Sequence, residues 1–112
     1  MCVSFCEKHQ NGIIILVPKG RLDSNTSDEF EKKLLGLVTA GETKLILDFK
    51  DLDYISSAGL RVLLKAAKEL KRKNGRLVFC AVKDYIKEIF ELSGFVSFFP
   101  IHPTLEDSLK TF

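Results

Sequence analysis

Apolar residues recur along the chain with two periods, and the changes from one period to the other mark its elements. Val3 to His9 and Ile13 to Pro18 read as β-strands. Asn11-Gly12 between them is a hairpin signal, because both residues tolerate the positive φ of a tight turn. Gly20-Arg21-Leu22-Asp23-Ser24-Asn25 reads as a polar loop. Thr26-Ser27-Asp28-Glu29 then offers a Thr-x-x-Glu capping box, followed by Phe30, Leu34, Leu37 and Val38 at helical spacing as far as Gly41. Lys44 to Phe49 is an apolar run of strand length, and Lys50 to Tyr54 connects it to a second helix. Leu60, Leu63, Leu64, Ala67 and Leu70 mark one face of that helix, Arg61, Lys65, Lys68, Glu69 and Arg72 the other, and Asn74-Gly75 ends it. A buried strand is expected at Leu77 to Val82 and a short helix through Tyr85, Ile86, Ile89, Phe90 and Leu92 up to Gly94. A last strand over Val96 to Ile101 and a terminal helix over Thr104 to Leu109 complete the pattern.

The order is β-β-α-β-α-β-α-β-α. Strands alternating with helices predict an α/β fold, a mixed, mostly parallel sheet with an N-terminal hairpin and helices packed on it. With 112 residues, 46% of them hydrophobic, and no visible repeat or linker, one domain spanning 1–112 is expected. A chain of this size buries about two thirds of its unfolded surface, so it needs neither disulfide nor metal to hold together. Three cysteines without a C-x-x-C pair and two histidines, His9 and His102, do not make a zinc site or a disulfide frame. Cys80, inside the apolar run, reads as a small buried hydrophobe. The apolar run Ile13 to Val17 is far short of the roughly 20 residues that cross a bilayer, and the first residues lack a basic segment followed by an apolar one, so the expected location is the cytoplasm.

Charge and motif content narrow the function. Seventeen Lys and Arg against 15 Asp and Glu leave a formal charge of +2, too mild to imply nucleic-acid binding. The cluster Lys65, Lys68, Lys71, Arg72, Lys73 and Arg76 falls on the polar face and C-terminal end of the second helix, where cations suit the helix dipole. Gly-rich dinucleotide loops, Walker loops and the G-x-S-x-G elbow are all missing, and neither histidine is placed as a base beside a nucleophile. No catalytic residue, metal or cofactor is expected.

Asp53-Tyr54-Ile55-Ser56-Ser57-Ala58-Gly59-Leu60-Arg61 stands apart, with two serines where the second helix begins. A serine oxygen there caps one unpartnered N–H group, a contribution of about 1 kcal/mol. The same N–H groups and the positive end of the dipole also suit an anion, including the phosphate of a phosphoserine. Ala58 and Gly59 keep side-chain bulk away from the approach. Both readings stand on the residues alone.

Leu45-Ile46-Leu47-Asp48-Phe49 and Leu52 to Leu64 closely resemble the core of the bacterial anti-sigma factor antagonists, the single-domain members of the STAS superfamily. Gly20-Arg21-Leu22-Asp23 is similar to the family's G-x-[LI]-D loop, and Ile89-Phe90-Glu91-Leu92-Ser93-Gly94-Phe95 to its late F-x-[LIM]-S-G signature. The likeness runs from Gly12 to about Leu109. It implies a partner switch without catalysis. The unphosphorylated protein would bind an anti-sigma factor that is itself an ATP-dependent serine kinase, freeing a sigma factor. Phosphorylation of a serine at the start of the second helix would break the complex, and a metal-dependent serine phosphatase would reset it. The matching serine is Ser57, with Ser56 as the alternative acceptor, since Ser56 and Ala58 stand where many members carry Asp and Ser or Thr. The implied partner-binding surface comprises Asp23, Ser56, Ser57, Ala58, Gly59 and Arg61. Asp23 and Asp48 would add like-charge repulsion to a phosphate if they lie near Ser57; otherwise Asp23 only helps to start the first helix and Asp48 is loop polarity. A different role for the same domain is that of an accessory subunit, for example of a lipid-exporting ABC transporter, in which the serines are caps.

Overall fold

A computed structural model describes residues 4–94 and 100–112. Strands β1 (Ser4–Gln10) and β2 (Ile13–Leu22) form the expected hairpin, with Gln10 opposite Ile13 and with Asn11 and Gly12 at φ 54° and 77°, the left-handed values a two-residue turn requires. Helix α1 (Ser27–Thr39) and strand β3 (Lys44–Asp48) follow. Then come β4 (Leu52–Ile55), α2 (Ser57–Arg72), β5 (Arg76–Cys80), α3 (Asp84–Leu92), β6 (Ile101–His102) and α4 (Leu105–Leu109).

The sheet runs β1-β2-β3-β5-β6, antiparallel only at the hairpin. The unbroken apolar run Ile13 to Val17 has its cause here. Successive side chains of a strand point to opposite faces, and both faces of β2 are covered. Ile14 and Leu16 join Phe30 and Leu34 of α1, Leu63, Ala66 and Leu70 of α2, and Ile86 and Phe90 of α3 in the main core. Ile13, Ile15, Val17, Ile46 and Cys80 point the other way, where Leu105, Leu109 and Phe112 cover them. Phe49, Phe79 and Phe90 meet edge to face with ring centres 5.3 to 6.4 Å apart. Cys80 is fully buried, and burial, together with the charge of Asp48, pushes its thiol up to about 12. It stays protonated.

Two expectations are corrected. First, β4 occupies what reads as a connection, and β2 continues through Gly20 to Leu22, where a polar loop was expected. Gly20 lies opposite Leu52 and Leu22 opposite Ile55, in parallel. Only Leu52 and Ile55 of β4 are buried, so a four-residue strand with Asp53 and Tyr54 outward carries too little apolar pattern to be read locally. Second, the capping box does not form. Thr26 Oγ1 donates to the Arg21 carbonyl at 2.8 Å and accepts from the Asp23 N–H at 3.0 Å, which leaves no side-chain cap on α1. The expected stop of α2 at Asn74-Gly75 forms: Asn74 takes the left-handed φ of 59°, and Gly75 is needed because a Cβ there would lie 2.7 Å from the Thr43 carbonyl oxygen. Of the last expected strand, Ile101 begins β6, and Val96 to Phe99 lie outside the described residues. Among the described residues no helix is long and apolar enough to cross a membrane.

Candidate functional site

Because β2 and β4 are parallel, their C-terminal ends release two loops side by side. The Ser56 N–H donates to the Leu22 carbonyl at 2.8 Å and joins them. Ser56 keeps extended backbone, φ −97° and ψ 175°, and its Oγ accepts from the Gly59 N–H at 3.4 Å while its carbonyl accepts from the Leu60 N–H at 3.0 Å. It is therefore the N-cap of α2. Ser57 is the first helical residue, exposed, and its hydroxyl makes no hydrogen bond among the described residues.

Gly59 does not face the approach to the serines. It is buried, and a Cβ would lie 2.8 Å from Ile55 Cγ1 and 3.2 Å from Leu22 Cβ. Its lack of a side chain lets α2 begin directly against the ends of β2 and β4, so the glycine sets the position of Ser57 from beneath. Ala58 is half-buried beside it, and Arg61, one turn on, is exposed.

Asp23 lies on the neighbouring loop and has two roles. Its carbonyl accepts from the N–H groups of Thr26 and Ser27, which starts α1. Its carboxylate accepts from the Asn25 N–H at 2.9 Å and from Arg21 Nε at 3.5 Å. The Asn25 backbone bond, and after it Arg21, hold this carboxyl below its ordinary value. A fixed negative charge therefore sits on the loop tied to Ser56. Asp48 is elsewhere. It follows Leu47, which pairs with Leu16, so by register it stops about 16 Å short of Leu22 at the rise of a strand. Its buried carboxylate accepts from the Lys50 N–H at 3.1 Å, the role of turn polarity.

The sequence gives little notice of the other residues at this edge. Arg21 and Tyr54 are partners across β2 and β4, with the guanidinium 4.3 Å from the centre of the tyrosine ring. Lys83 Nζ meets Asp53 Oδ1 at 2.7 Å, and the Tyr85 hydroxyl donates to the Asp53 carbonyl at 2.7 Å. These two bonds fasten the start of α3 to β4 just ahead of the serines, and the Asp53 contact raises the Lys83 ammonium above its ordinary value. In the sequence Tyr85 counts among the apolar positions of the third helix, and its exposure, like that of Tyr54, is seen only in the fold. The basic cluster is largely engaged. Lys65 pairs with Glu31, Arg72 with Glu69, and Lys73 donates to the Val38 carbonyl, as suits a solvated helix face. Neither histidine belongs to the serine edge. His9 is bonded to Glu7 on β1, and His102 lies on β6.

Among the described residues the site thus presents an exposed, unbonded hydroxyl on a helix start, with cations and the carboxylates of Asp23 and Asp53 around it. Such a surface can receive a group or a partner.

Comparison with known proteins agrees with this architecture. The sequence model of the STAS domain matches residues 7–108. A protein of Bordetella bronchiseptica, BtrV, which carries the provisional designation of anti-sigma factor antagonist, is 41% identical over 102 residues, covering 91% of this chain and 88% of its own. A crystal structure of a Thermotoga maritima protein given the same provisional designation superposes with TM-score 0.92 at 19% identity, covering 96% of this chain and 92% of that one. The phosphorylated form of the Bacillus cell fate determinant SpoIIAA superposes with TM-score 0.77 at 20% identity, covering 96% and 98%.

Proposed function

The chain belongs to the STAS domain family, in its group of anti-sigma factor antagonists, which are binding proteins rather than enzymes, and from that membership we propose that it is a phosphorylation-controlled partner switch acting at Ser57. In the unphosphorylated state it holds an anti-sigma factor that is also a serine kinase, and the sigma factor is released. The kinase transfers the γ-phosphoryl group of ATP to Ser57 Oγ. ADP leaves, and the hydroxyl proton passes to a base on the kinase. A metal-dependent serine phosphatase removes the group by hydrolysis.

The observation that carries this reading is the division of labour between the two serines. Ser56 is half-buried and its oxygen is committed to the cap, whereas Ser57 Oγ is exposed and unbonded. The acid pattern of the helices adds support. α1, α3 and α4 each begin with Asp or Glu in the first turn, and α2, the longest, has none. A phosphate on Ser57 would stand at that dipole end without a neighbouring helix carboxylate to repel it. Asp23, Ala58 and Arg61, with Arg21 and Tyr54, make up the surface that the partner covers, while Ser56 and Gly59 shape it from below. Phosphorylation adds about 1.5 to 2 negative charges there, and a partner surface fitted to a neutral hydroxyl has to desolvate them.

The test is incubation with the cognate kinase and ATP, followed by mass spectrometry. Ser57→Ala should abolish uptake, and Ser56→Ala should retain it while lowering stability by about 1 kcal/mol. Ser57→Asp should bind the kinase about a hundredfold more weakly, the equivalent of about 2.7 kcal/mol. Uptake by the Ser57→Ala protein at Ser56 would move the site, and unaltered affinity of Ser57→Asp would remove the charge mechanism.

A further inference from the structure

Most cations along α2 and just beyond it have partners: Lys65 has Glu31, Arg72 has Glu69, Lys73 has the Val38 carbonyl and Arg76 the Thr111 carbonyl. Arg61 is exposed and has neither an acid nor a carbonyl partner among the described residues. It stands four residues after Ser57, which places the two side chains on one face of the helix. Cα–Cβ bonds of a helix tilt toward its N-terminus, so the Arg61 stem runs back toward the turn that Ser57 opens. Lys65, four residues further on, is a like charge that disfavours the opposite direction.

We propose that Arg61 is the internal counter-cation of phosphorylated Ser57, its guanidinium pairing with the phosphate oxygens. This rests on the reading of Ser57 as the acceptor and adds a second half to the switch. The phosphate does more than confront the partner with charge; it also withdraws Arg61 from the partner's reach. The other charged groups around this edge are already engaged. Arg21 is stacked on Tyr54 and bonded to Asp23, Asp53 is held by Lys83, and Lys65 by Glu31. Arg61 is left to answer a new anion, and a planar guanidinium fits phosphate with two parallel bonds.

The experiment uses the full chain translated with phosphoserine at position 57, which bypasses the kinase, and follows the phosphate by 31P NMR as pH is varied. The second phosphate pKa should lie below the value of about 6 usual for phosphoserine. Arg61→Gln should raise it by roughly 0.15 to 0.4 unit, and Arg61→Lys should keep part of the effect. A value within about 0.1 unit of the parent in Arg61→Gln, or a rise seen only with Arg21→Gln, would overturn the proposal. The two readings fail separately: a kinase that ignores Ser57 removes the acceptor assignment and leaves this titration intact, whereas a flat titration removes Arg61 and leaves the assignment standing.

Discussion

Asp23 serves folding through its bonds at the start of α1, and under the proposed switch the same residue would also meet the partner. Its carboxylate is held below the ordinary 3.8 first by the Asn25 N–H and then by Arg21. A carboxyl depressed in the folded state contributes stability that is complete above its unfolded pKa and is lost as pH falls through the folded value. Asp23→Asn keeps an oxygen for the Asn25 N–H and removes only the charge. Denaturant unfolding at neutral pH should therefore find the variant less stable than the parent, and the difference should close as pH falls below about 4. A gap independent of pH would assign the loss to altered geometry. Glu7, depressed by Lys33 and His9, gives both proteins the same acid slope in the background.

At the scale of elements, α2 and the hairpin were legible and the edge beside them was not. The helix declares itself through Leu60, Leu63, Ala67 and Leu70, and the turn through Asn11-Gly12, because both signals are local. β4 depends on pairing with residues far back in the chain. With it the sequence hides the Arg21–Tyr54 stack and the pin from α3, which exist only once β2 and β4 lie side by side. The reason for Gly59 was hidden for the same cause, since Leu22 and Ile55 come beneath it only in the fold. Two helical glycines test this. Gly59→Ala would bring a Cβ to 2.8 Å from Ile55 Cγ1 and should destabilise by about 1 to 3 kcal/mol. Gly36→Ala in α1, where nothing lies within 4 Å, should stabilise by about 1 kcal/mol. Equal effects in thermal or chemical unfolding would mean that helix propensity, and not the packing of α2 on the strand ends, governs both positions.

For the molecule as a whole, the switch reading requires a scaffold that does not yield. The serine edge stands on Leu22, Ile55 and Leu63, all buried, and behind them the Phe49, Phe79 and Phe90 cluster. A close-packed interior of this kind is barely compressible and resists rearrangement when a charge is added at its surface. The protein phosphorylated at Ser57 should keep its helical circular dichroism and melt at the same temperature or slightly higher, because an anion at a helix start is favourable. A loss of helix or a fall of several degrees would show that the phosphate acts by melting α2.

The pin from Tyr85 to Asp53 and the stack of Arg21 on Tyr54 also have an optical consequence. The chain has no tryptophan and two tyrosines, and both stand at the serine edge. At excitation wavelengths where its nine phenylalanines do not absorb, its intrinsic ultraviolet emission therefore comes from that edge. The protein carries its own fluorophores where its partner and its phosphate are expected, so a change at Ser57, three residues from Tyr54, is readable from the unlabelled chain in real time.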